Sequence, residues 1–142
     1  MEKEIHVDAT NAVLGRLASY VAKQALLGVK VNIYNCENAV ISGSPELVRE
    51  RYFKKMFDLG TPQKGPFAFR MPDRFVRRVI RGMLDYKRGR GKAAFDRVMC
   101  YIGVPEEFKD KKLVKVVKER ADLPTMKCIS VGKLCVSLGG KV

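Results

Sequence analysis

Residues 5–34 read IHVDATNAVLGRLASYVAKQALLGVKVNIY. Residues 5–8 are short and alternate around His6, as a strand does. Thr10 or Asn11 can then cap a helix, since each offers a side-chain oxygen to the free N–H groups of the first turn. From Val13 the apolar residues Val13, Leu14, Leu17, Ala18, Val21, Ala22, Ala25 and Leu26 keep helical spacing. Gly28 stands where a helix ends in the left-handed conformation. Residues 29–34 are β-branched and apolar, which predicts a second, buried strand. Strand, helix and strand at this spacing form a crossover unit with parallel strands.

Outward from that unit the alternation continues. Residues 39–41 read as a short strand. Ser44 followed by Pro45 begins a helix as an N-cap with a first-turn proline, which runs through Leu47, Val48, Tyr52 and Met56 to near Gly60. Residues 61–72 hold three prolines and one glycine and read as a loop. A helix over 73–84 follows, then a glycine-rich turn over 86–92, a short helix over 92–97 and a strand over 98–102. Residues 105–120 read as a surface connection with a short strand at 113–117. A strand at 128–131 and a helix at 132–138 close the pattern. In 142 residues this predicts a single domain over 1–142, of α/β class with a mainly parallel sheet.

Charge is spread unevenly over that scaffold. The chain carries 28 Lys and Arg against 15 Asp and Glu, a net +13. Residues 64–97 hold eleven basic and three acidic side chains, an excess of eight positive charges, whereas residues 1–63 have an excess of one. Within that segment Arg74, Arg77, Arg78 and Arg81 recur at i, i+3, i+4 and i+7, one stripe along the 73–84 helix. Phe75, Val76, Val79, Ile80, Met83 and Leu84 fall on the opposite, core-facing side. Like charges at helical spacing cost a few tenths of a kcal/mol per pair, so the stripe calls for an anion. Nucleic-acid phosphate fits, because arginine forks bind it bidentately. RNA is favoured over DNA in the absence of a helix-turn-helix, zinc finger or basic zipper. Gly65, Gly89 and Gly91 let backbone approach a ribose–phosphate surface closely. Tyr86 is interleaved with the charges and can stack on an unpaired base. Phe67 and Phe69 either do the same or pin their loop to the core. Reversing the four stripe arginines to Glu is expected to leave the fold intact.

Enzymatic chemistry finds little to build on. Gly15 and Glu37 resemble half a dinucleotide-binding unit, but that fingerprint needs several glycines, and bulky Val13 and Leu14 stand where backbone should approach phosphate. No phosphate-binding G-x-x-x-x-G-K-[ST] motif and no G-x-S-x-G elbow occur. His6 is the sole histidine and reads as a strand residue. Cys36, Cys100, Cys128 and Cys135 lack paired spacing and read as buried, reduced thiols. No metal or cofactor is expected. No apolar run reaches the roughly 18 residues of a membrane span, and the start MEKEIHVDA lacks a signal-peptide layout. A cytoplasmic protein is expected.

Ile80-Arg-Gly-Met-Leu84 followed by Tyr86-Lys-Arg-Gly-Arg-Gly91 resembles the signature of the large-subunit ribosomal protein thirteen family in its archaeal–eukaryotic form. Lys64-Gly-Pro-Phe67 and Phe69-Arg-Met-Pro72 are similar to that form too. So are Val7-Asp8-Ala9, Leu14-Gly-Arg-Leu-Ala18, Asn35-Cys-Glu-Asn-Ala-Val-Ile-Ser-Gly43, and the C-terminal Gly132-Lys-Leu with Leu138-Gly139. The resemblance implies a three-layer α/β/α fold with a four-stranded, mainly parallel sheet. It implies a non-enzymatic constituent of the large ribosomal subunit, with no small-molecule substrate. That constituent binds 23S-type rRNA, sits beside other large-subunit proteins and supports early assembly. It also implies that Arg70, Arg74, Arg77, Arg78, Arg81, Lys87, Arg88, Arg90 and Lys92 face rRNA. Two residues depart from the family pattern: Asp85 replaces a usual proline and Tyr86 a common histidine. The missing long basic C-terminal helix points to the archaeal type.

Overall fold

The computed structural model describes residues 3–58, 60, 63–65, 67–117 and 119–142. Parts of the expected 61–72 loop, including Pro62 and Pro66, therefore lie outside the described residues. The opening unit forms as its pattern predicts. Strand β1 (Glu4–Asp8) runs parallel to β2 (Lys30–Tyr34), with Ile5 beside Val31 and Val7 beside Ile33. Helix α1 (Leu14–Leu26) joins them and buries Leu14, Leu17, Ala18, Val21, Ala22 and Ala25. Gly28, at φ +88°, takes the left-handed turn that ends it.

The start of α1 differs from expectation. Neither Thr10 nor Asn11 caps it; Val13 holds that position without a side-chain bond. Thr10 is drawn to Asp8 instead, giving both its N–H and its hydroxyl to Oδ1, at 3.0 and 2.7 Å. Asn11 takes a left-handed φ of 58°. Ala12 and Val13 are held by bridges to Glu119 and Val40, so the helix starts only at Leu14.

Strand β4 (Val98–Cys100) joins β2 in parallel, giving the order β1-β2-β4. The strand expected at 113–117 shrinks to one residue. Val114 donates to the His6 carbonyl and accepts from Asp8 N–H, a single parallel bridge beside β1. Its neighbours Lys111, Lys112 and Lys115 are exposed. The remaining strands, β3 (Val40–Ser42) and β5 (Cys128–Ser130), pair with each other, antiparallel, as a separate ribbon. Of the expected architecture the α/β class and the parallel sheet are found, the sheet with three strands and helices packed on it.

Helix α2 (Pro45–Phe53) begins after Ser44 as the proline predicts, although the Ser44 side chain makes no cap bond, and it continues into a π-helical stretch, Lys54–Asp58. Helix α3 (Pro72–Gly82) packs on α1 and β4, as does α4 (Gly89–Asp96). Helix α5 (Val131–Ser137), capped by Ser130 Oγ accepting from Lys133 N–H, packs on α3. Val31, Ile33, Val98 and Cys100 share a core with Leu17, Val21, Val76 and Ile80. The alternate residues of the sheet face a second, aromatic cluster. There Tyr34, fully buried, meets the rings of His6, Tyr101 and Phe108 at centroid distances of 5.8, 5.4 and 5.5 Å. Burial pushes the Tyr34 hydroxyl up to about 12, and its oxygen pairs with His6 Nδ1 at 2.8 Å. The lone histidine is a strand residue with a structural partner.

Candidate nucleic-acid interface

Helix α3 separates its two faces much as the spacing predicts. Phe75, Val76 and Ile80 are buried, as is Leu84 just beyond the helix, and Val79 is half-buried. Met83 is the exception, 46% exposed, because the helix ends at Gly82 and the chain turns there.

On the other side Arg74, Arg77, Arg78 and Arg81 converge on a cleft of about 270 Å³, with Phe69 and Phe95 completing its walls. The four arginines are not equivalent. Arg74 and Arg78 are exposed, whereas Arg77 and Arg81 are half-buried. Arg77 lays its guanidinium 4.1 Å over the Phe95 ring and donates from Nε to the Val98 carbonyl at 3.0 Å. Arg81 lies 4.5 Å over the Tyr86 ring, and its Nε is buried without a hydrogen-bond partner. An aromatic ring beneath a guanidinium holds the plane flat and leaves its N–H edge free for an anion. The expectation that all four could be reversed without touching the fold is therefore corrected: Arg77 ties α3 to β4, and Arg81 ties it to the following turn.

The other expected site residues lie outside the cleft. Arg70 is exposed, 5.4 Å over the Phe57 ring. Lys87, Arg88, Arg90 and Lys92 are exposed around the start of α4. The glycine-rich turn is shorter than its composition suggested, because α4 starts at Gly89 and places Arg90 and Lys92 on a helix. Gly91 permits this: it is buried, and a side chain there would collide with the Asp85 main chain. Asp85 also pairs with Arg88, Oδ2 to Nε at 3.1 Å, in an exposed position where an ion pair contributes little.

Of the aromatic residues, Phe67 is 72% and Phe69 40% exposed, so the first is not pinned to the core and the second only partly. Tyr86 is half-buried beneath Arg81. Two contributors escaped the sequence reading. Phe95, on α4, supports the Arg77 guanidinium. Arg97, counted among the basic residues, donates from Nη1 to the Ala25 carbonyl at 3.1 Å and satisfies the C-terminal end of α1.

The dinucleotide-like features have other employment. Gly15 lies inside α1, and Glu37 Oε2 accepts from Gly103 N–H at 3.1 Å. Among the described residues no group of three or more His, Cys, Asp or Glu side chains is placed to hold a metal ion, and no helix is long and apolar enough to cross a membrane. The four cysteines are free; Cys36, Cys100 and Cys135 are buried and Cys128 half-buried.

Fold and site together define a basic α/β protein with four arginines in one cleft along α3, two of them braced by aromatic rings. The family profile described as "Ribosomal protein L13" matches residues 2–107. A protein of Methanococcoides burtonii named "Large ribosomal subunit protein uL13" is 43% identical over 136 residues, covering 95% of this chain and 97% of the relative. Relatives of the same name from Methanopyrus kandleri and Methanosarcina barkeri are 40% and 41% identical, covering 94% and 95% of this chain and 85% and 97% of their own lengths. The chain belongs to the ribosomal protein L13 family, whose members are structural components rather than enzymes.

Proposed function

We propose that this protein is a structural constituent of the large ribosomal subunit, working as one domain over residues 1–142. In this reading it binds 23S-type rRNA through the basic segment 64–97 and supports early subunit assembly. It resides in the cytoplasm on the ribosome, beside other large-subunit proteins. Within the same reading the Val114 bridge marks where a fourth strand joins the sheet, in a three-layer arrangement. The observation that carries the proposal is the arginine cleft. Four guanidinium groups share one hollow, and Arg74 and Arg78 are exposed in it. A phosphodiester backbone supplies repeated acceptors for such a surface, and neutralising it releases counterions. Arg70, Lys87, Arg88, Arg90 and Lys92 extend the contact beyond the cleft.

The test is a salt titration of binding to large-subunit rRNA fragments. With about six phosphates contacted, log K against log [salt] falls with a slope of about −4 to −5. A flat response would overturn the proposal.

A further inference from the structure

A second hollow, of about 450 Å³, adjoins the arginine cleft and shares Phe69 and Arg78 with it. Its other walls are mostly apolar and aromatic: Tyr52, Met56, Phe67, Phe75, Val79 and Leu138. Lys55 supplies the second cation at its edge, 5.2 Å over the Tyr52 ring. Phe67 and Phe69 keep 72% and 40% of their surface exposed here, a large apolar area left open to water beside strong charges.

That juxtaposition narrows what fits. A wholly apolar occupant would strip water from Lys55 and Arg78 and leave their charges unpaired, at a cost of some kcal/mol. A simple anion would have no use for the rings. A nucleotide joins an aromatic face to a phosphate over a short distance, which matches an apolar hollow and a cationic cleft with a common wall. The volume lies within the roughly 300–1,000 Å³ range of small-ligand sites. The surrounding run of exposed cations favours a base that is part of a longer polyanion over a free nucleotide.

We infer that this hollow receives one unstacked nucleobase of a bound RNA, whose phosphates lie in the adjoining arginine cleft. The inference rests on the RNA-binding reading above. Phe67 and Phe69 form the stacking platform, and Arg78 stands between base and phosphate. The arrangement contributes affinity for unpaired RNA that charge alone cannot supply, since every base has an aromatic face but a bare ribose–phosphate chain has none.

The experiment compares a short uridine oligomer with the same oligomer made abasic, at one fixed moderate salt concentration. Wild-type protein is measured beside Phe67→Ala and the double variant Phe67→Ala, Phe69→Ala, with thermal melts confirming that all three fold alike. Wild type is expected to bind the base-bearing oligomer about 5- to 100-fold more tightly. The double variant is expected to lose that preference, read as the ratio of its affinities for the two oligomers, with the single variant in between. Equal binding of the two oligomers by wild type, as an apolar peptide site would give, overturns the inference and leaves the RNA-binding reading standing. A preference that survives in the double variant also overturns it. Failure to bind either oligomer while large-subunit rRNA fragments still bind overturns the inference alone, and failure to bind those fragments as well overturns both.

Discussion

Gly91 lies against the main chain of Asp85, so closely that any Cβ on it would overlap the Asp85 carbonyl. This contact lets the chain leave α3, turn, and start α4 at once. It also settles what Asp85 does in an otherwise basic turn: its carbonyl accepts from Arg88 N–H at 3.1 Å, and its backbone is the surface on which Gly91 rests. Gly91→Ala is expected to cost about 1–3 kcal/mol, the usual range for overpacking. Gly89→Ala, with open space around it, is expected to be neutral or up to about 1 kcal/mol stabilising. Urea denaturation midpoints of the two variants check the contrast.

Arg77 and Arg78 are neighbours in sequence with different work. Arg77→Ala removes a charged hydrogen bond to the Val98 carbonyl and is expected to destabilise the fold by about 1.5–3 kcal/mol. Arg78 is exposed, and its alanine variant is expected to stay within about 0.5 kcal/mol of wild type. Thermal melts in parallel distinguish them.

The clean test of the RNA face therefore uses Arg74 and Arg78. Reversing both to Glu is expected to weaken rRNA binding and shift the salt slope toward zero by about two units or more. The melting temperature should stay close to wild type. Unchanged affinity in the folded double variant would remove the cleft from the binding surface.

How much of this was legible beforehand follows from how local each signal is. The β1–α1–β2 unit and the two faces of α3 rest on periodicity within one segment, and both were read from it. The cap of α1 failed because Asp8 competes for Thr10, a contact that depends on where β1 ends. The pairing of β3 with β5 is non-local, and short strands carry no partner signal. The role of Arg97 was hidden for the same reason: its acceptor, the Ala25 carbonyl, is 72 residues away in sequence. The basic segment was legible as charge, but its division into Arg77 and Arg81, which brace, and Arg74 and Arg78, which stay open, depends on aromatic rings placed by α4 and its turn.

Asp8 makes stability depend on acid. Burial by itself pushes its carboxyl up, but hydrogen bonds from Asn35 and Thr10, with Lys115 nearby, outweigh this and hold it below its ordinary value. A carboxyl depressed in the folded state contributes fully above its unfolded pKa of about 4 and loses that contribution as pH falls through the folded value. Wild type is therefore expected to lose more stability than Asp8→Asn between about pH 5 and about pH 2. Denaturant titrations of both proteins across that range provide the measurement.

The thiols should differ in reactivity. Burial, with Asp73 adding to it, pushes Cys135 up to about 12. A hydrogen bond with Cys36, together with burial, raises Cys100 as well. Cys128 is half-buried and should react first with an aromatic disulfide reagent at neutral pH, the other three following only on unfolding. Mass spectrometry of partly labelled protein reads the order directly.

The β3–β5 ribbon bears on the timing of biogenesis. Val40 pairs with Ser130, so β3 is made well before its partner and waits while the residues between them are added. Core residues Ile129, Val131 and Leu134 arrive equally late. Translation therefore delivers the arginine helix before the element that closes the fold beside it. Final compaction waits until residues 128–138 have been made and dock beside the arginine helix.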